Sequence, residues 1–135
     1  MQASEDRRLV TVLFVDLVGF TGRAEAEDPE SLRGIQREYF EAVSSVMERY
    51  GGRVEKYIGD AVMTLFGVPR AHDDDAERAL HAAISVRDEI RALGFGLEVR
   101  VGVNTGEVVG GPGAGRFAGE YTVTGDAVNV AARLQ

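Results

Sequence analysis

Asp16 and Asp60 each stand where an apolar, strand-like run gives way to a glycine-marked turn. Asp16 ends the run from Leu9 to Val15, and Asp60 follows Gly59 between the runs 53–58 and 61–66. A carboxylate at a strand end is poor core material and a good ligand for a hard cation. Two such oxygen donors set side by side by a sheet can hold Mg²⁺ or Mn²⁺, ions that neutralise and orient a polyphosphate. The pair therefore points to metal-dependent chemistry on a nucleotide. Taken singly, each residue has a plainer reading, Asp16 as a helix cap and Asp60 as a turn aspartate.

Three further groups bear on the same chemistry. The turn Leu17-Val18-Gly19-Phe20-Thr21 follows Asp16 and could aim backbone N–H groups at phosphate, especially if a helix starts there. Lys56 lies four residues before Asp60 across the end of a strand, so its ammonium and the carboxylate need not face the same group. If a helix begins near Gly125, then Asp126, Asn129 and Arg133 share one face, putting an amide beside a fixed-charge fork. That pair could hold a ribose and stabilise charge at a reacting phosphate, or it could be a solvated surface. The segment Gly111-Pro112-Gly113-Ala114-Gly115 has the composition of a phosphate loop, but no Lys-Ser/Thr follows and the proline lacks a donor, so it reads as a hairpin tip. His72 and His81 have no helical ligand spacing and read as surface residues.

The elements that must position these residues follow from periodicity. The run from Leu9 to Val15 is almost wholly apolar, as expected of a central strand covered on both faces. Leu32, Ile35, Tyr39, Val43, Val46 and Tyr50 form one helical stripe, closed by Gly51-Gly52. A tight hairpin then turns at Gly59-Asp60. Asp73-Asp74-Asp75 offers cap oxygens to a second helix with the stripe Ala76, Ala79, Ala83, Val86, Ile90 and Leu93. After Gly94-Phe95-Gly96, residues 97–103 alternate as a strand, and Glu107-Val108-Val109 reads as its return arm. A short run, Tyr121 to Thr124, leads into a final helical segment from Ala127 to Gln135. The order β-α-β-β-α-β is that of the ferredoxin-like split βαβ arrangement, an α+β fold with an antiparallel sheet and helices on one face.

Bulk properties agree. At 135 residues the sequence reads as a single domain, 1–135, with 44% apolar residues. A net charge of −7 offers no basic surface to nucleic acid, though divalent metal would still let an acidic protein bind a triphosphate. Absence of cysteine removes thiolate sites and disulfides, and no stretch approaches a membrane span or a signal core. The expected location is cytoplasmic, with no direct membrane contact by this segment.

Four ordered motifs, Phe14 to Thr21, Lys56 to Ala61, Val101 to Val108 and Gly125 to Arg133, together resemble the class III adenylyl/guanylyl cyclase catalytic domain. By that resemblance Asp16 and Asp60 are the metal residues for two Mg²⁺ or Mn²⁺ ions, and Leu17, Val18, Gly19, Phe20 and Thr21 hold the triphosphate. Lys56 would reach the purine, Asn129 would position the ribose, and Arg133 would stabilise the transition state. The implied reaction turns ATP into 3′,5′-cyclic AMP and pyrophosphate. The implied assembly is a head-to-tail homodimer with shared sites, in which Lys56, Thr122, Asn129 and Arg133 act across the interface. Thr122 stands seven places before Asn129, where many adenylyl cyclases have aspartate. This is similar to the soluble, bicarbonate-responsive subgroup and carries the expectation of bicarbonate activation. A hydroxyl both donates and accepts, so guanylyl cyclase activity remains an alternative, as does a non-catalytic regulatory or dimerisation module. Domains of this family continue past the arginine-bearing helix with strands that carry a phosphate-binding lysine. Ending at Gln135 therefore implies a cyclase fold truncated at its C-terminus.

Overall fold

The computed structural model describes residues 6–20 and 27–110. Its elements are β1 (Asp6–Leu17), α1 (Pro29–Arg49), β2 (Arg53–Ile58), β3 (Ala61–Phe66), α2 (Asp75–Ala92) and β4 (Val99–Gly110). The strands form one antiparallel sheet in the order β2-β3-β1-β4, the expected ferredoxin-like plan.

Alternation along β1 divides the core. Leu13, Val15 and Leu17 face both helices, meeting Ile35, Tyr39, Val43 and Val46 of α1 and Ala79, Ala82, Val86 and Ile90 of α2. Val10, Val12 and Phe14 point to the other face, where they cluster with Met63, Leu65 and Val68. Both sets are buried, so the near-continuous apolar run is a strand covered on two sides. Each large apolar side chain of α1 fully buried on this sheet contributes about 2 kcal/mol.

The termini of α1 follow local rules. Asp28 caps it by accepting from the Ser31 N–H at 3.1 Å, with Pro29 in the first turn. At the far end Gly51 adopts φ +84°, and the Gly51 and Gly52 N–H groups bond the carbonyls of Glu48 and Met47 at 3.0 and 2.8 Å. The second helix departs from expectation. Asp74 occupies its cap position without a side-chain cap bond, while the buried Asp75 accepts from the His72 N–H at 2.7 Å and from Arg78. Ala82 is buried where the stripe assigned Ala83 and Ala76, which are half-buried and exposed. His72 and His81 are exposed.

A second correction concerns the expected return arm. Glu107-Val108-Val109 does not fold back, because β4 runs unbroken from Val99 to Gly110 along the whole of β1. The polar interruption at Asn104-Thr105-Gly106 is absorbed by that pairing: Thr105 lies opposite Thr11, with their hydroxyl oxygens 2.7 Å apart. Among the described residues no helix is long and apolar enough to cross a membrane. The glycine-rich tip at 111–115, the run Tyr121 to Thr124 and the segment Ala127 to Gln135 lie outside the described residues.

Candidate active site

Topology brings the two aspartates together. Because β1 and β2 both pair antiparallel with β3, they run parallel to each other, and their C-terminal ends lie at the same end of the sheet. Asp16 sits at the end of β1, and the Gly59-Asp60 turn leaves the end of β2. Gly59 takes φ +61° while Asp60 does not leave the negative-φ region, so the hairpin places its glycine first, as in a type II′ turn. The tight hairpin expected at Gly59-Asp60 is present, and its one positive φ falls on the glycine.

Asp16 and Asp60 are both half-buried, and both lie near enough to one phenol to act on it electrostatically. The fully buried Tyr39 of α1 donates its hydroxyl to the Asp60 carbonyl at 2.8 Å and lies 3.4 Å from the carbonyl of Val15, the residue before Asp16. Burial, and then the negative charges of Asp16 and Asp60, push the Tyr39 hydroxyl far above the ordinary phenol range. Near neutral pH it is therefore protonated and donates. One turn earlier on the helix, the Gln36 amide donates to Asp60 Oδ1 at 2.7 Å.

Alternation puts Asp16 next in the series Val10, Val12, Phe14, on the sheet face away from the helices. Lys56 comes to the same face through a β-bulge. The register shifts between Val54 and Lys56, so Val54 pairs with Thr64 on the helix side while Lys56 pairs with Met63 on the other. Without the extra residue the lysine would point towards α1. It is exposed, two strands removed from β1, which sets it about 10 Å to the side of Asp16.

The turn after Asp16 is less open than its sequence implied. Leu17 has its side chain in the core, and the Val18 N–H is committed to the Glu98 carbonyl at 2.9 Å, one more rung between β1 and β4. Gly19 is exposed at φ +73° with nothing near its Cα substituent position, and Phe20 packs half-buried on the core. Thr21, Thr122, Asn129 and Arg133 lie outside the described residues.

Register adds a residue that periodicity did not single out. Arg100, exposed near the start of β4, is directly opposite Asp16 and so shares its face. A basic residue at the N-terminal end of a strand antiparallel to β1 was the available signal. In the sequence Tyr39 reads only as part of the core stripe, and nothing there singles out Gln36.

Among the described residues no group of three or more His, Asp or Glu side chains forms a closed metal site. Two carboxylates without a third ligand suit Mg²⁺ or Mn²⁺, which keep waters and take phosphate oxygens as remaining ligands. An open groove of about 330 Å³, between Phe40, Glu41, Ser44, Ser45, Glu48 and Tyr57, contains neither carboxylate.

Comparison with known proteins gives a consistent family. Residues 2–135 match the adenylate and guanylate cyclase catalytic domain. The chain is 31% identical to adenylate cyclase 1 of Rhizobium meliloti over 96% of its own length and 21% of that protein's. It superimposes on the adenylyl cyclase CyaB of P. aeruginosa with a TM-score of 0.85 at 33% identity, covering 98% of this chain and 73% of that one. A TM-score of 0.84 at 26% identity relates it to the guanylyl cyclase domain of the RhoGC fusion protein from the aquatic fungus Blastocladiella emersonii, covering 98% of this chain and 76% of that one. The chain spans only 21–28% of the length of the curated relatives it matches.

Proposed function

The chain belongs to the adenylate and guanylate cyclase catalytic domain family, and we propose that it converts ATP to 3′,5′-cyclic AMP and pyrophosphate. The observation that carries this reading is the delivery of Asp16 and Asp60 to the same end of the sheet, where the Tyr39 hydroxyl ties the Asp60 carbonyl to the end of β1. When bound, two Mg²⁺ or Mn²⁺ ions supply Lewis acidity towards the ribose 3′-hydroxyl and counter-charge for the departing pyrophosphate. Asp16 and Asp60 hold that charge in place. Gly19 and Phe20, with Thr21 by the family pattern, contact the triphosphate, while Leu17 and Val18 fix the turn. Arg100, on the Asp16 face, adds a fixed positive charge beside the phosphates.

The remaining roles come from the family pattern. Lys56 and Thr122 contact the purine, Asn129 orients the ribose, and Arg133 stabilises charge at the α-phosphorus as the 3′-oxygen forms its new bond and the bond to pyrophosphate breaks. These four residues act from the second subunit of a homodimer. Catalysis is then chiefly positioning and electrostatics.

The close superposition on a guanylyl cyclase domain favours GTP as the second reading. Initial rates with Mn-ATP and Mn-GTP, on the full-length protein, decide between them. A higher kcat/KM for ATP supports the proposal, a higher value for GTP replaces it, and no cyclic product from either leaves the regulatory-module reading standing. Adding bicarbonate to the same assay tests the activation expected from Thr122.

A further inference from the structure

We infer that Gln36 and Tyr39 are positioning residues, a two-point clamp by which α1 orients the Asp60 carboxylate and holds its hairpin turn against the end of the strand that bears Asp16. The inference rests on reading those aspartates as the metal-binding pair. Gln36 and Tyr39 are three residues apart and share a helix face. Their two bonds to Asp60 do different things. The Gln36 amide occupies Oδ1 at 2.7 Å, which fixes the rotation of the carboxylate and leaves Oδ2 as the oxygen to be presented to an ion. The Tyr39 hydroxyl bonds the Asp60 carbonyl at 2.8 Å while lying 3.4 Å from that of Val15, so it fixes the hairpin tip relative to the end of β1.

The clamp answers a problem that the sheet leaves open. Asp16 and Asp60 belong to strand ends separated by β3, and pairing between β1 and β3 is recorded only from Thr11 and Phe66 to Val15 and Val62. Beyond that rung the hairpin turn needs another restraint. The helix supplies it from below, through a side chain with no exposure and one that is half-buried. Groups that orient ligating carboxylates by hydrogen bonds govern metal affinity without touching the ion.

Mn²⁺ binding, followed by the loss of the free-ion electron paramagnetic resonance signal, tests the inference in full-length protein with 3′-deoxy-ATP, which cannot cyclise. Gln36→Met removes the donor at similar length, and Tyr39→Phe removes only the hydroxyl. Each should weaken Mn²⁺ binding about tenfold, while Gln36→Met keeps the wild-type melting temperature. Turnover should then recover at high Mn²⁺ with the KM for ATP near wild type. Unchanged Mn²⁺ affinity in Gln36→Met overturns the inference even if Tyr39→Phe fails to fold. A lowered melting temperature with unchanged affinity in a folded Tyr39→Phe protein also overturns it, by making the bond purely structural. Wild-type protein that binds no Mn²⁺ rejects the metal reading itself, a separate and recognisable failure.

Discussion

Replacing Arg100 with glutamine should move two binding constants in opposite directions. Arg100 is exposed and directly opposite Asp16, and cross-strand partners on one face hold their Cβ atoms about 5 Å apart. At that separation two unit charges in water-like surroundings interact by about 1 kcal/mol. Without nucleotide, the guanidinium competes with any cation approaching Asp16, so Arg100→Gln should tighten Mn²⁺ binding about fivefold at low salt, the equivalent of that 1 kcal/mol. The gain should fade near 1 M salt, where the screening length falls to about 3 Å. With nucleotide present the sign reverses. Loss of a charge-assisted bond to the triphosphate, worth about 1.5–3 kcal/mol, should raise the KM for ATP about tenfold or more. The fold itself should hardly notice, since an exposed ion pair is worth about 1 kcal/mol at most. Mn²⁺ titrations at two salt concentrations, steady-state kinetics and a thermal melt read all three. Weaker Mn²⁺ binding without nucleotide, or an unchanged KM, would refute the placement of Arg100 between metal and phosphate.

Two other perturbations probe assembly and core. An Asp60→Ala chain and an Arg133→Ala chain, each inactive alone, should recover about a quarter of wild-type turnover when mixed and exchanged, because half of random dimers are mixed and each of those keeps one intact site of two. Background activity from demonstrated mixed dimers rejects the shared site. Thr64 is buried in β3 with no hydrogen-bond partner for its hydroxyl among the described residues. Thr64→Val keeps the β-branched shape and removes the unpaired oxygen, so it should stabilise the protein by about 1 kcal/mol. Denaturant midpoints measure this, and a lower midpoint would mean that the hydroxyl is bonded after all.

What the sequence made legible and what it hid divide along a physical line. The fold's order of elements could be read because each signal is local: the two-sided apolar run of β1, the helical stripe of α1 and the glycines that end it. Gly59-Asp60 was likewise self-contained, needing only one positive φ. Pairings between distant segments are a different quantity. Nothing near Asn104-Thr105-Gly106 announces that β1 will carry β4 straight through it, and nothing near Arg100 announces Asp16 as its neighbour. The bulge makes the point most sharply for function. Counting alternate residues from the buried side of β2 sends Lys56 towards the helices, and only the irregular pairing opposite Thr64 and Met63 turns it onto the face that bears Asp16. Residue types could suggest a metal pair and a purine-contacting lysine, but whether they share a face depends on a one-residue phase that side-chain chemistry does not encode. Gln36 shows the same limit from the helix side. Its position beside the Tyr39 stripe marks it as near the boundary of the core, and it becomes informative only when the parallel ends of β1 and β2 deliver Asp60 to within 2.7 Å of its amide.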